Sequence, residues 1–240
     1  MFYPHPNQIV QDAYDSLIAN LFNWNRNDMP KSIAITGRAK GIGKTTISIN
    51  FSLALVMAGW RVVLLDVDLR KTGVSKRLAS DNLLGVTDYL AKLAEYQDIL
   101  TTTNFDNFTY IPCGDIANNN PIGLLHSARF ERLMDQLKRD FDFVIFDTSA
   151  LDANADASVI ASKSDGVFFI AQVGESTTRV QQELERLAGR NVRVLMTILN
   201  KSTRSEYKRF MGFYDYTKTR KNKFTAIKHK NNKPRNFISD

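Results

Sequence analysis

The sequence predicts an α/β protein with a doubly wound, mostly parallel sheet flanked by helices, and three observations carry that expectation. Short apolar runs recur along the chain: SIAIT at Ser32–Thr36, RVVLL at Arg61–Leu65, FVIF at Phe143–Phe146, VFFIA at Val167–Ala171 and VRVLMTIL at Val192–Leu199. They lack the alternation of a half-solvated sheet, so both faces are expected to be covered. Helical patterns fill the intervals, and strands alternating with helices give parallel sheets with right-handed crossovers. Finally, each polar cluster with chemical potential follows a strand directly, at the carboxyl edge where such sheets bind ligands.

The elements follow in order. Residues 9–22 place Val10, Ala13, Tyr14, Leu17, Leu21 and Phe22 on one helical stripe, and Asn23–Pro30 is a polar connector. After SIAIT comes the turn GRAKGIGK, then a helix over Thr45–Ala58 that ends near Gly59. An amphipathic helix is expected over Leu125–Arg139, and further helices over Asp156–Lys163 and Thr178–Ala188. Trp24 and Trp60 sit near helix ends and read as packing residues. These spacings divide the chain into an N-terminal helix and connector (1–30), the α/β domain (31–202) and a tail (203–240).

Composition narrows the class. A content of 43% hydrophobic residues in 240 suffices for one compact core. No apolar run is long enough to span a membrane, and MFYPHPNQ lacks a secretory pattern, so a cytoplasmic protein is expected. The single cysteine, Cys113, excludes an internal disulfide and reads as a small strand-end residue. His5, His126 and His229 show no metal spacing. The net charge of +7 is concentrated: residues 201–240 hold 12 of the 32 basic and 3 of the 25 acidic residues, so the rest is slightly acidic. The tail therefore reads as a largely disordered basic extension, either simply solvated or drawn to an anionic surface or acidic partner.

The chemistry starts at GRAKGIGKTT, residues 37–46. Gly41 and Gly43 let the backbone approach a phosphate, while the next helix aims its N–H groups and positive dipole end at the anion. The loop contacts are expected from Arg38, Ala39, Lys40, Gly41, Ile42 and Gly43. Lys44 supplies a charge to the outer phosphates, Thr45 a hydroxyl to magnesium, and Thr46 reaches an inner phosphate. The cofactors implied are ATP and Mg2+, the pattern of a P-loop NTPase. In G-x-x-x-x-G-K-[ST] the first glycine position is Arg38, with the glycine one residue earlier at Gly37. Asp66 and Asp68 in LLDVDLR repel one another unless a cation relieves them, and Asp68 is placed to accept a proton from an attacking hydroxyl. Asp147 in FVIFDTSA is a carboxylate at a strand tip, fit to hold magnesium directly or through water.

Together these residues resemble the bacterial tyrosine kinases of capsule and exopolysaccharide synthesis, from about Gln8 to Ser202. The most specific element is LLDVDLRK, which matches that family's D-x-D-[LM]-R; GVTDYL at 85–90, IPCGDIANNNPIGLLHS at 111–127 and Asp156-Ala157 also match. The resemblance implies catalytic roles for Lys44, Asp66, Asp68 and Arg70, metal contacts from Thr45, Asp66, Asp68 and Asp147, and Asn200 beside the nucleotide base. It implies phosphoryl transfer to tail tyrosines of a neighbouring subunit, here Tyr207, Tyr214 and Tyr216. It further implies a homo-oligomer, a membrane adaptor of the polysaccharide co-polymerase type that recruits the chain to the inner membrane face, and no specific nucleic acid.

Three features depart from that pattern. Gln11, Asp12 and Asp15 stand where the family carries an acidic pair and a ring-forming arginine. The tail tyrosines are few, and Phe210, Phe213, Tyr214 and Tyr216 could instead pack a last amphipathic segment. D-T-S-A replaces D-T-P-P. Two other functions are compatible with these features: an ATP-binding regulatory subunit with little kinase activity, and a partition-like ATPase using its basic tail on DNA. Ala39 at the signature-lysine position of partition ATPases weighs against the second.

Overall fold

The computed structural model describes residues 4, 7–23, 28–69, 84–115 and 120–213. Trp24, Arg70, Tyr214 and Tyr216 lie outside them, as do His5, His229 and the basic stretch from 218. The chain divides into two compact units, Met1–Lys201 and Ser202–Asp240.

In the first unit the described strands are β1 (Ser32–Thr36), β2 (Val62–Asp66), β3 (Thr101–Thr102), β4 (Phe108–Ile111), β5 (Phe143–Asp147), β6 (Gly166–Gln172) and β7 (Val194–Asn200). They form one sheet in the order β3-β4-β2-β5-β1-β6-β7. Every pairing is parallel except β3 with β4. The alternation of side chains along a strand explains why the central strands are apolar throughout. Ile33, Ile35, Val62, Leu64, Phe143, Ile145, Phe168 and Ile170 pack on one face. Ala34, Val63, Leu65, Val144, Phe146, Val167 and Phe169 pack on the other.

Helices α1 (Gln8–Phe22) and α2 (Lys44–Met57) cover the first face, where Leu21 is fully buried and Tyr14, Leu17, Ile18 and Phe22 pack beside it. Asn7 caps α1 by accepting from Ile9 N. Burial pushes the Tyr14 phenol up to about 12 against a hydrogen bond with Asn50 of α2. Trp60 stacks on Phe22 at 5.4 Å and meets Phe143 edge-on at 5.6 Å, as the packing reading expected.

On the second face lie α3 (Val86–Leu90), α4 (Pro121–Leu125), α5 (Ala128–Asp140) and α6 (Asp156–Lys163). Residues of all four lie in its core. Leu187 of α7 (Thr177–Ala188) also belongs to that core. The helix expected over Leu125–Arg139 is α5, which starts at Ala128 and ends at Asp140, with the separate α4 ending at Leu125 before it. Ser127 breaks the pattern by capping α5, accepting from Phe130 N, while Asn120 and Pro121 open α4. The GVTDYL match has a structural basis: Asp88 accepts from Gly85 N at 2.8 Å and from Asp115 N at 3.3 Å. This joins the start of α3 to the segment after β4. β4 itself, FTYI, was not expected from the sequence.

The sheet's amino edge is closed by ion pairs. Arg61 meets Asp142 at 3.0 Å, and Lys138 meets Asp165 at 2.6 Å. In the second unit, α8 (Arg204–Phe213) is helical where the sequence reading expected the start of a disordered extension. A reciprocal cap accounts for it: Glu206 Oε2 accepts from Thr203 N at 2.7 Å, and Thr203 Oγ1 accepts from Glu206 N at 3.3 Å.

Candidate functional site

The turn between β1 and α2 can be built only with glycine at two points. At Gly37 a Cβ would lie 2.4 Å from Ile170 O and 2.5 Å from Ile42 Cδ1. At Gly43 φ is +101°, and a Cβ would lie 2.1 Å from Asn200 Nδ2. Ile42 is fully buried and anchors the loop in the core. Asn200, at the end of β7, donates its amide to Ile42 O at 2.8 Å. That amide braces the loop, in addition to the base-side position the sequence resemblance gave it.

Lys44, at the first turn of α2, is 8% exposed and donates to Ala39 O at 3.0 Å. Its ammonium thus spans the inside of the loop. Burial holds its pKa below the usual lysine value, against the opposing pull of Asp147 and Asp68. Thr45 and Thr46 are half-buried on the same turn, and Lys40 is exposed.

The carboxylates meet this loop from neighbouring strand ends. Asp66 of β2 and Asp147 of β5 are register partners, and both are buried. Asp147 Oδ1 accepts from Ser48 Oγ at 2.9 Å, and Thr45 also bonds to its carboxylate. Burial pushes Asp147 up to about 6, although Thr45, Ser48 and Lys44 favour its charged form. Asp68 turns back on Asp66, its N donating to Asp66 Oδ1 at 3.2 Å, and its charge is felt at both Lys44 and Asp147. Lys44, Thr45, Asp66, Asp68 and Asp147 are therefore brought together. Cys113 is buried beyond β4, its Sγ 3.8 Å from Asp68 O, with burial pushing its pKa up.

Other expected residues sit differently. The Arg38 guanidinium is held by Glu175 and Asp152, each at 2.7 Å. Tyr207 lies in α8, its N bonded to Thr203 O at 2.9 Å. Arg70, Tyr214 and Tyr216 fall outside the described residues. Ser48, Glu175 and Asp152 were not expected in the site from the sequence. Ser48 shares a helix face with Lys44 and could be found by i+4 spacing, whereas the two acids carry no local signal.

Among the described residues no group of three or more His, Cys, Asp or Glu side chains could hold a metal by itself. Magnesium takes one or two carboxylates plus phosphate oxygens and water rather than an all-protein cage. A buried carboxylate whose burial opposes ionisation, bonded to the Thr45 hydroxyl, is a donor set such an ion would fit.

A glycine loop on a helix N-terminus, an inward lysine and carboxylates at two adjacent strand tips define a P-loop protein that binds nucleotide phosphates. Residues 30–174 match the family described as the AAA domain. Tyrosine-protein kinase CpsD of Streptococcus agalactiae is 33% identical over 199 residues, which span 82% of this chain and 85% of that one. The chain belongs to this family of bacterial tyrosine kinases, within the P-loop ATPases. The solved kinase domain of the Escherichia coli tyrosine kinase ETK superposes with a TM-score of 0.73 at 26% identity, over 79% of this chain and 74% of that one. The septum site-determining protein MinD of Pyrococcus horikoshii, complexed with Mg-ADP, shares the fold. Its TM-score is 0.62 at 24% identity, over 74% of this chain and 72% of that one.

Proposed function

We propose that this chain is an ATP-dependent, autophosphorylating protein-tyrosine kinase that regulates capsular or exopolysaccharide synthesis. The observation that carries the reading is Asp68 following the strand end of Asp66, the register partner of Asp147, with its charge felt at both Lys44 and Asp147. A carboxylate there can serve transfer as well as binding.

The loop amides from Arg38 to Thr46 and the start of α2 cradle the phosphate oxygens, with Lys44 on the outer ones. Lys44 leaves Ala39 O to do so. Thr45 and Asp147, with Asp66, would hold a magnesium ion, which would neutralise charge on the outer phosphates. Asp68 accepts the phenolic proton of the incoming tyrosine. The tyrosine oxygen bonds to the γ-phosphorus as the bond to the β–γ bridging oxygen breaks, leaving ADP and phosphotyrosine. Arg70 is assigned to the same centre from the LLDVDLR motif. Tyr207, Tyr214 and Tyr216 are the acceptors, presented by another copy of the chain. Asn200 contacts the base side of the nucleotide. A membrane adaptor of the co-polymerase type recruits and activates the kinase; no helix among the described residues is long and apolar enough to cross a membrane.

A second reading, a nucleotide-binding regulatory subunit with little kinase activity, is favoured by α1. Asp12 and Asp15 there are exposed and bond within their own helix, to Gln8 at 2.7 Å and Gln11 at 3.4 Å. Incubation with magnesium-ATP, with and without the adaptor's cytoplasmic segment, separates the two. The kinase reading expects phosphotyrosine on the wild-type chain and none on Lys44→Met; nucleotide binding with no phosphotyrosine in either condition leaves the regulatory reading standing.

A further inference from the structure

The phosphate-loop pattern ordinarily has glycine where this chain has Arg38, and that arginine does not point its donors at an open loop. Its Nε lies 2.7 Å from Glu175 Oε1, in the loop after β6, and its Nη1 lies 2.7 Å from Asp152 Oδ2, in the loop after β5. The Glu175 side chain is 4% exposed and its second oxygen accepts from Gln172 N at 3.3 Å, so it is fixed from two sides. The backbone repeats the tie: Leu151 N donates to Gly37 O at 3.0 Å and Asp152 N to Arg38 O at 3.1 Å. Three strand-end loops are thus joined at the residue where the phosphate loop begins.

We propose that Arg38 is a positioning residue of the phosphate loop, acting through Glu175 and Asp152 rather than on a phosphate. This rests on the reading that residues 37–46 bind nucleotide phosphates and is independent of tyrosine transfer. Two physical reasons support it. The guanidinium is already engaged by two carboxylates, so the cluster's formal charge is −1 and offers no net attraction to a polyphosphate. Swinging Arg38 toward a ligand would strand a buried Glu175 carboxylate without its partner, which costs more than a surface pair returns. The gain from leaving it in place is order. A loop whose first residue is pinned to two neighbours presents its amides to a phosphate without first losing conformational freedom.

The test is calorimetric titration of the full chain with magnesium-ADP for wild type, Arg38→Gln, Glu175→Gln and the double variant, at a temperature where all remain folded. Arg61→Gln serves as a control that removes an ion pair at the opposite edge of the sheet. Each single variant is expected to weaken ADP about tenfold, within the range of coupling in one hydrogen-bond network, and the double variant no more than either single. Arg61→Gln is expected to bind as wild type does. Wild-type binding by Glu175→Gln beside a loss in Arg38→Gln would overturn the proposal in favour of direct phosphate contact, as would losses that add in the double variant. Wild-type binding by all would remove the clamp's role altogether. If Arg38→Gln does not fold, Arg38→Lys keeps the charge while losing the fork, and intermediate affinity is expected. A wild-type chain that binds no ADP would instead overturn the phosphate-loop reading itself.

Discussion

Replacing Gly43 by alanine isolates the geometry on which nucleotide binding depends. Gly43 is the residue before α2 and sits at φ +101°, outside the region that residues with a Cβ favour. Holding alanine there costs about 1–3 kcal/mol. The added methyl would also lie 2.1 Å from Asn200 Nδ2, so Asn200 must give up its bond to Ile42 O, a loss of about 1 kcal/mol. The combined cost of about 2–4 kcal/mol falls on the binding-competent loop. At 1.4 kcal/mol per tenfold, affinity should drop by about 30- to 700-fold. Part of the strain can be relieved by local rearrangement of the empty loop, so thermal stability should fall less than affinity. Calorimetry with magnesium-ADP, paired with a thermal melt, reads both. An alanine variant that binds within threefold of wild type would refute the placement of phosphates against the Gly43 backbone.

Three more outcomes are expected. Asp68→Asn should reduce phosphotyrosine formation by about 100-fold or more while changing magnesium-ATP affinity little, because a proton acceptor serves transfer and not binding; equal losses in both would assign Asp68 to the metal instead. Asp165 is pulled below the usual carboxylate range: burial opposes this, but bonds from Lys138 and Ser32 outweigh it. Its contribution is therefore present above the unfolded carboxylate pKa and is lost as pH falls through the folded value. Asp165→Asn should cost about 1 kcal/mol at pH 7, and the gap to wild type should close toward pH 3, as followed by urea melts. Thr203→Ala removes the side-chain half of the α8 cap, worth about 1 kcal/mol, and should raise the open fraction about fivefold. Phosphate at Tyr207, read by peptide mass spectrometry, should rise relative to the other tyrosines; an unchanged ratio would show that α8 does not withhold it.

The central strands were legible because burial on both faces writes itself as unbroken apolar sequence, as at Val62–Leu65 and Phe143–Phe146. The site was legible for the same geometric reason: Asp66 and Asp147 end strands and Lys44 opens the helix that follows β1, so their order along the chain marks one edge of the sheet. β4 escaped notice because FTYI is four residues with a threonine inside, and only its pairing with β2 and β3 gives it a strand's surroundings. Ser127 was concealed inside a stretch with helical periodicity, where a cap looks like one polar residue among many. Arg38 was read by its position in the loop, yet its side chain is determined by Glu175, 137 residues away, which no local pattern announces. At α8, the high charge of the tail outweighed a T-x-x-E capping signal that was present in the sequence.

The most direct measurement compares the intact mass of the wild-type chain with that of a Tyr207, Tyr214 and Tyr216 triple phenylalanine variant. Both are incubated with magnesium-ATP and the adaptor's cytoplasmic segment, with Lys44→Met as the inactive reference. Wild type should gain phosphoryl groups in whole increments, while the triple variant gains none and binds ATP normally. Phosphoryl gain that survives in the triple variant would contradict the assignment of the acceptors. No gain in wild type, with ATP bound and the adaptor segment present, would contradict the kinase itself.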